Sequence, residues 1–240
     1  MKPLWIGTSW KMNKTRAEAR EFAEALKVHA FTNMQPFVIP PFPSIADVAD
    51  ILAGSCVRVG AQNMHWEDQG AWTGEISPLM IKDCGATMVE LGHSERRTFF
   101  NETDETVALK VKAALKHGLL PLVCIGDTKA EYEAGRTGQV LERQTRAALT
   151  HGDQILIAYE PVWSIGEGGV PADPDFANEQ HKRIKEISGG RPVLYGGSVN
   201  AQNCCALAGR SHIDGLFIGR AAWDAAGYLK IVQSVSGVMT

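Results

Sequence analysis
The chain of 240 residues carries 24 Lys and Arg against 27 Asp and Glu, a formal net charge of −3, and 45% hydrophobic residues. This near-neutral balance argues against nucleic acid or a membrane surface as partner, since both favour a basic patch, whereas a small anion needs only a local positive site. The length suits one α/β domain over residues 1–240 and can bury a core that stands without staples. Short β-branched runs predict strands over 4–10, 37–40, 57–62, 88–92, 119–125, 155–160, 192–195 and 215–218. Amphipathic runs between them predict helices over 16–28, 107–117 and 176–187. Thr15 and Glu18 read as a capping box opening the first helix, Gly118 as the C′ glycine closing the second, and Asp173-Pro174 as N-cap and N1 of the third.

Several strands lack in/out alternation, as expected when a parallel sheet is covered on both faces. Eight strand-then-helix units within one domain's length suggest a single closed (β/α)₈ barrel, with an open doubly wound sheet as the alternative. The N-terminal Met1-Lys2-Pro3-Leu4-Trp5 enters strand-like sequence without the features of a signal peptide, and no stretch is long and apolar enough to span a bilayer. The five cysteines (Cys56, Cys84, Cys124, Cys204 and Cys205) are odd in number and lack metal-ligand spacing. They read as reduced thiols of a cytoplasmic protein, with no zinc site.

Barrel enzymes place their chemistry where strands end. The first strand ends Gly7-Thr8-Ser9-Trp10-Lys11-Met12-Asn13, and strand alternation would put Ser9 and Lys11 on one face. The fourth ends Glu90-Leu91-Gly92-His93-Ser94-Glu95, so His93 could precede a helical turn whose N-terminus favours a neutral ring. The sixth ends Tyr159-Glu160-Pro161-Val162-Trp163, and a carboxylate there is costly unless solvated, paired or functional. A glycine-rich segment through Gly166 to Pro171 reads as a lid hinged at residues 161–163 and near 170–171. Gly196-Gly197-Ser198 and Gly219-Arg220 end the last two strands, where barrels commonly bind phosphate on backbone N–H groups. Singly, each has a plainer reading: an exposed lysine, a structural histidine, a surface loop, a tight turn. Together they suggest a phosphate grip beside Lys11, His93 and Glu160.

Over essentially its whole length the sequence resembles the triosephosphate isomerase family. The resemblance rests on Trp10-Lys11-Met12-Asn13, Gly60-Ala61-Gln62-Asn63, Thr73-Gly74-Glu75-Ile76-Ser77 and the segments 91–97, 159–163 and 195–199. It implies a TIM barrel that moves a proton through an enediol, with Glu160 as base, neutral His93 as electrophile and Lys11 as the cation. It also implies a buried Glu95 positioning that lysine, and phosphate bound at Gly166, Ser198 and Gly219. A phosphorylated sugar would be the substrate, with neither metal nor organic cofactor. A homodimer is implied through the loop from Gln69 to Glu75, with Trp66 and Trp72 as candidate interface anchors or as packing on their own barrel.

The chain departs from the family pattern around the substrate. Ser9 stands where asparagine is usual, Arg220 where a second glycine is usual, and the lid reads Gly166-Glu167-Gly168-Gly169-Val170-Pro171. Together with Met64-His65-Trp66, these changes are similar to the L-erythrulose-1-phosphate isomerase branch of the family. That likeness implies a four-carbon substrate, with Ser9 making room for an added hydroxymethyl group and Arg220 offering a planar fork. The alternatives are a triosephosphate isomerase with altered contacts and a non-catalytic barrel that binds a sugar phosphate. The second would need no general base.

Overall fold
The computed structural model describes residues 3–166 and 169–237. Eight parallel strands close into a barrel in chain order: β1 (Leu4–Ser9), β2 (Met34–Ile39), β3 (Arg58–Ala61), β4 (Met88–Leu91), β5 (Leu120–Ile125), β6 (Leu156–Tyr159), β7 (Val193–Tyr195) and β8 (Gly215–Ile218). Closure runs through β1, which pairs with β2 from Leu4–Met34 to Ser9–Ile39 and with β8 from Trp5–Gly215 to Thr8–Ile218. The open-sheet alternative is thereby excluded. Every residue of β4, β6 and β8 is buried, which accounts for their missing alternation.

The helices wrap the outside. In chain order they are α1 (Arg16–Lys27), α2 (Ile45–Leu52), α3 (Pro78–Asp83), α4 (Ser94–Phe99), α5 (Asp104–Lys116), α6 (Lys129–Glu133), α7 (Thr137–Ala148), α8 (Pro174–Ser188), α9 (Cys204–Ala208) and α10 (Ala225–Ser236). Helix α1 opens on the Thr15–Glu18 capping box and buries Ala19, Phe22, Ala23 and Leu26, one stripe at helical spacing. Helix α5 starts three residues before the predicted 107, because Thr103 caps it and exchanges bonds with Thr106. Gly118 follows it at φ +69°, and α8 opens on Asp173-Pro174 as expected.

The core has two parts. One fills the space between strands and helices; the other fills the barrel itself with Phe37, Ile39, Met88, Leu122, Leu156, Leu194 and Phe217. A Cβ on Gly7 would stand 2.4 Å from the Phe37 ring, so the absent side chain is what lets that ring lie across the barrel. Bulky residues thus close the barrel beneath its C-terminal mouth.

Candidate active site
Strand β1 delivers the cation. Trp10 turns outward and packs edge-on against Phe22, 4.8 Å between ring centroids. Lys11 then adopts a left-handed conformation, φ +52°, uncommon for a side chain with a Cβ. Its carbonyl accepts from Gln62 Nε2 at 2.9 Å, and Asn13 Nδ2 donates to the Trp10 carbonyl at 2.8 Å. Ser9 and Lys11 both face the cavity at the mouth. Strand alternation is not the reason, because β1 has ended and the turn at Lys11 aims the side chain. Lys11 Nζ forms an ion pair with Glu95 Oε1 at 2.6 Å. The expected burial of Glu95 is corrected: its side chain is 45% exposed, because it sits in the first turn of α4 on the barrel rim.

His93 is the N-cap of α4, and its Nδ1 accepts the Glu95 backbone N–H at 3.1 Å. A nitrogen that accepts carries no proton, so the neutral ring bears its hydrogen on Nε2. That Nε2 lies 3.3 Å from Glu160 Oε1. Glu160 follows β6, is 2% exposed, and accepts the Ser94 N–H at 3.4 Å with its other oxygen. A Cβ on Gly196 would sit 2.9 Å from Glu160 Cγ, so this glycine leaves the space the carboxylate occupies. A buried carboxylate and an N–H donor therefore converge where a C–H acid and its carbonyl oxygen could be held.

Gly166, Ser198, Gly219 and Arg220 line the same cavity of about 340 Å³ as Ser9, Lys11, His93 and Glu160. The Ser198 hydroxyl donates to the Ser164 carbonyl at 2.6 Å, tying β7's loop to the base of the lid. A Cβ on Gly219 would meet nothing within 4 Å, which leaves its backbone facing open space. Arg220 stands at the exposed rim. The first predicted hinge is a 3-10 turn, Val162–Ser164, with Trp163 stacked 4.4 Å from Tyr132; Glu167 and Gly168 of the lid lie outside the described residues.

Sequence reasoning passed over Glu90. It is 3% exposed, on the inner face of β4 above Met88, and accepts a 2.7 Å hydrogen bond from Ser9 Oγ. Its Oε1 lies 4.0 Å from His93 Nε2 and 4.0 Å from Cys124 Sγ. Burial pushes its pKa up to about 7; the His93 ring opposes the rise and the Glu160 carboxylate adds to it. Cys124 is buried among these groups, and burial raises its thiol pKa well above the usual value. The signal available in sequence was period two: Met88 and Glu90 share a face of a strand, and Met88 is an inner-core residue type.

Near the mouth, Trp66 and Trp72 both pack on the His65 ring, at 4.2 and 4.5 Å. Trp66 is packed against the core, whereas Trp72 is 50% exposed. All five cysteines are free.

The family model described as "Triosephosphate isomerase" matches residues 4–235. Among curated proteins, the chain is 56% identical over 246 aligned residues to an L-erythrulose-1-phosphate isomerase of Brucella abortus (strain 2308), covering 97% of this chain and 96% of that one. A protein of the same name from Rhizobium rhizogenes is 55% identical, with 95% and 93% covered. Another from Mesorhizobium japonicum is 53% identical, with 98% of each covered.

Proposed function
The chain belongs to the triosephosphate isomerase family, and from that premise we propose that it interconverts L-erythrulose 1-phosphate and D-erythrulose 4-phosphate. Relatives named L-erythrulose-1-phosphate isomerase match it nearly end to end, which supports the four-carbon reading. The observation that carries it within the site is Ser9, a short side chain lining the cavity beside Lys11 and leaving room for a hydroxymethyl group on the reacting carbon.

In this reading Glu160 removes the proton from C3 of the ketose. The carbonyl oxygen on C2 gains negative charge, which His93 Nε2–H and the Lys11 ammonium stabilise. His93 donates to that oxygen and recovers the proton from the C3 hydroxyl, giving the enediol and then its C3 enolate. Glu160 returns the proton to C2, so the carbonyl has moved by one carbon and nothing else has changed. Backbone N–H groups around Gly166, Ser198 and Gly219, with Arg220 at the rim, hold the phosphate. Glu95 keeps Lys11 in place.

The proton-transfer pair favours catalysis over a binding-only barrel, since holding phosphate requires no base. The five free thiols fit a reducing cytoplasm. The loop from Gln69 to Glu75, with Trp72 half exposed at its centre, fits a homodimer contact.

The deciding measurement is kcat/KM for L-erythrulose 1-phosphate and dihydroxyacetone phosphate on the same preparation. A preference of about tenfold or more for the four-carbon sugar is expected, roughly the effect of one well-made contact. A preference for the three-carbon sugar would make the enzyme a triosephosphate isomerase and reduce Ser9 to a tolerated change. Introducing Ser9→Asn should depress four-carbon turnover more than three-carbon turnover, since it refills the space.

A further inference from the structure
Glu90 is a buried carboxyl for which proton transfer has no use, and it lies beneath the surface that substrate touches. The barrel interior below it is apolar, with Phe37, Met88 and Leu122 in its core. A carboxyl group there is costly unless hydrogen-bonded. Among the described residues, Ser9 supplies its one hydrogen bond shorter than 3.5 Å, at 2.7 Å on Oε2. A proton that Glu90 itself binds can reside on Oε1, which faces Cys124 and His93 at 4.0 Å each. Oε2 then remains an acceptor for Ser9 whether or not Glu90 is ionised.

This arrangement fixes the polarity of Ser9. A serine hydroxyl has one hydrogen and two lone pairs. With the hydrogen directed down to Glu90, the lone pairs are what Ser9 offers to the cavity. A carbonyl or oxyanion finds no donor there, but a hydroxyl finds an acceptor. The position is also the relevant one: Glu90, Cys124 and Glu160 bring their polar atoms within 4.8 Å of one another, so Ser9 and Glu160 flank the same carboxyl.

We propose that Ser9 and Glu90 together read the additional hydroxyl of the four-carbon sugar, Ser9 accepting its hydrogen bond and Glu90 acting as the positioning residue that makes Ser9 an acceptor. The inference rests on the four-carbon reading above and adds a hydrogen bond to what was there a matter of space. The two accounts diverge at Ser9→Ala. If Ser9 only makes room, alanine preserves or improves selectivity for the larger substrate. If Ser9 accepts a hydrogen bond, alanine loses it.

The experiment measures kcat/KM for L-erythrulose 1-phosphate and for dihydroxyacetone phosphate in wild type, Ser9→Ala, Glu90→Leu and the double variant. Their ratio is read, because changes common to both substrates cancel in it. Ser9→Ala is expected to lower the four- to three-carbon ratio about tenfold, the effect of one hydrogen bond. Glu90→Leu should lower it too, by less than Ser9→Ala does, since Ser9 keeps its lone pairs but is then free to turn its hydrogen into the cavity. The double variant should be no worse than Ser9→Ala alone, as follows when one residue acts through the other. An unchanged ratio in Ser9→Ala overturns the proposal, and so does full additivity in the double variant. If Glu90→Leu does not fold, Ser9→Ala alone still decides between the hydrogen bond and the space. Failure of the underlying reading looks different: wild type itself would then prefer the three-carbon sugar.

Discussion

At the scale of single residues, the site joins one exchangeable proton to several groups that could compete for it. His93 escapes ambiguity because its Nδ1 is already committed to the Glu95 N–H. Glu160 is the group whose loss should be most costly. Glu160→Ala is expected to lower kcat by at least about 10²-fold, the scale of general-base catalysis, while inhibition by inorganic phosphate changes by less than about threefold. Full turnover in that variant would refute the mechanism. Glu90 makes a separate prediction about stability. Its folded pKa is raised to about 7 from 4.5, so its contribution is fully present below pH 4.5 and is lost as pH rises through 7, on the order of 3 kcal/mol. His181 runs the other way. Burial lowers its pKa from 6.5 to about 4, so its contribution is present above pH 6.5 and is lost as pH falls towards 4. The two slopes oppose where the windows overlap, between pH 4.5 and 6.5. Replacing Glu90 with Gln leaves the His181 slope uncovered, so Tm should climb more steeply between pH 4.5 and 7 than in wild type. An identical slope in thermal melts across that range would count against a raised Glu90 pKa. The groups facing Glu90 from neighbouring elements are Ser9 at the end of β1, Lys11 in the turn after it, Cys124 from β5, His93 before α4, and Glu160 after β6.

At the scale of elements, strand ends set the aim of side chains more finely than the strands do. Lys11 is aimed by a left-handed turn, with Gln62 and Asn13 holding the backbone around it. Glu160 is accommodated because the turn after β7 begins with Gly196. Gly196→Ala would place a Cβ 2.9 Å from Glu160 Cγ and push that carboxylate, the proposed base, aside. A fall of about 10- to 100-fold in kcat is expected, with Tm barely changed, since about 1 Å of misplacement suffices for such losses. Wild-type kcat in that variant would show that the base tolerates the shift. Gly7→Ala tests the layer below, where the new methyl would meet the Phe37 ring at 2.4 Å. Overpacking of this kind costs about 1–3 kcal/mol, and denaturant unfolding should reveal it as a lower midpoint at unchanged m-value.

At the scale of the whole molecule, closure of the sheet turns eight separate strand ends into one mouth. Parallel pairing keeps all the C-terminal ends on one side, so the cation after β1, the imidazole after β4 and the carboxylate after β6 face the turns after β7 and β8. The mouth is also where the proposed dimer would form. Trp72→Asp should convert a dimer into monomer in light scattering, because burying an unpaired carboxylate at an interface is strongly unfavourable. A dimer of unchanged mass would place the contact elsewhere.

Much of this could be read from the chain alone, and the reason is local. The Thr15–Glu18 box, the Gly118 stop and the Asp173-Pro174 opening act within a few residues, so neighbours in sequence suffice to specify them. The family resemblance supplied Lys11, His93 and Glu160, and their strand-end positions agreed with it. What sequence left undecided depends on residues that meet only when the barrel closes. Glu95 lies on an exposed rim because α4 begins above the sheet, a fact of depth that no local pattern encodes. Trp66 packs inward while Trp72 stands out, although both belong to one aromatic stretch. Glu90 shows the division most clearly. Period two put it on the face of Met88, but only closure of β1 through β8 brings Ser9 to within 2.7 Å of it. A hydrogen bond across 81 positions of chain is made by tertiary geometry, because the energy that orders it comes from the barrel core and not from the residues beside it.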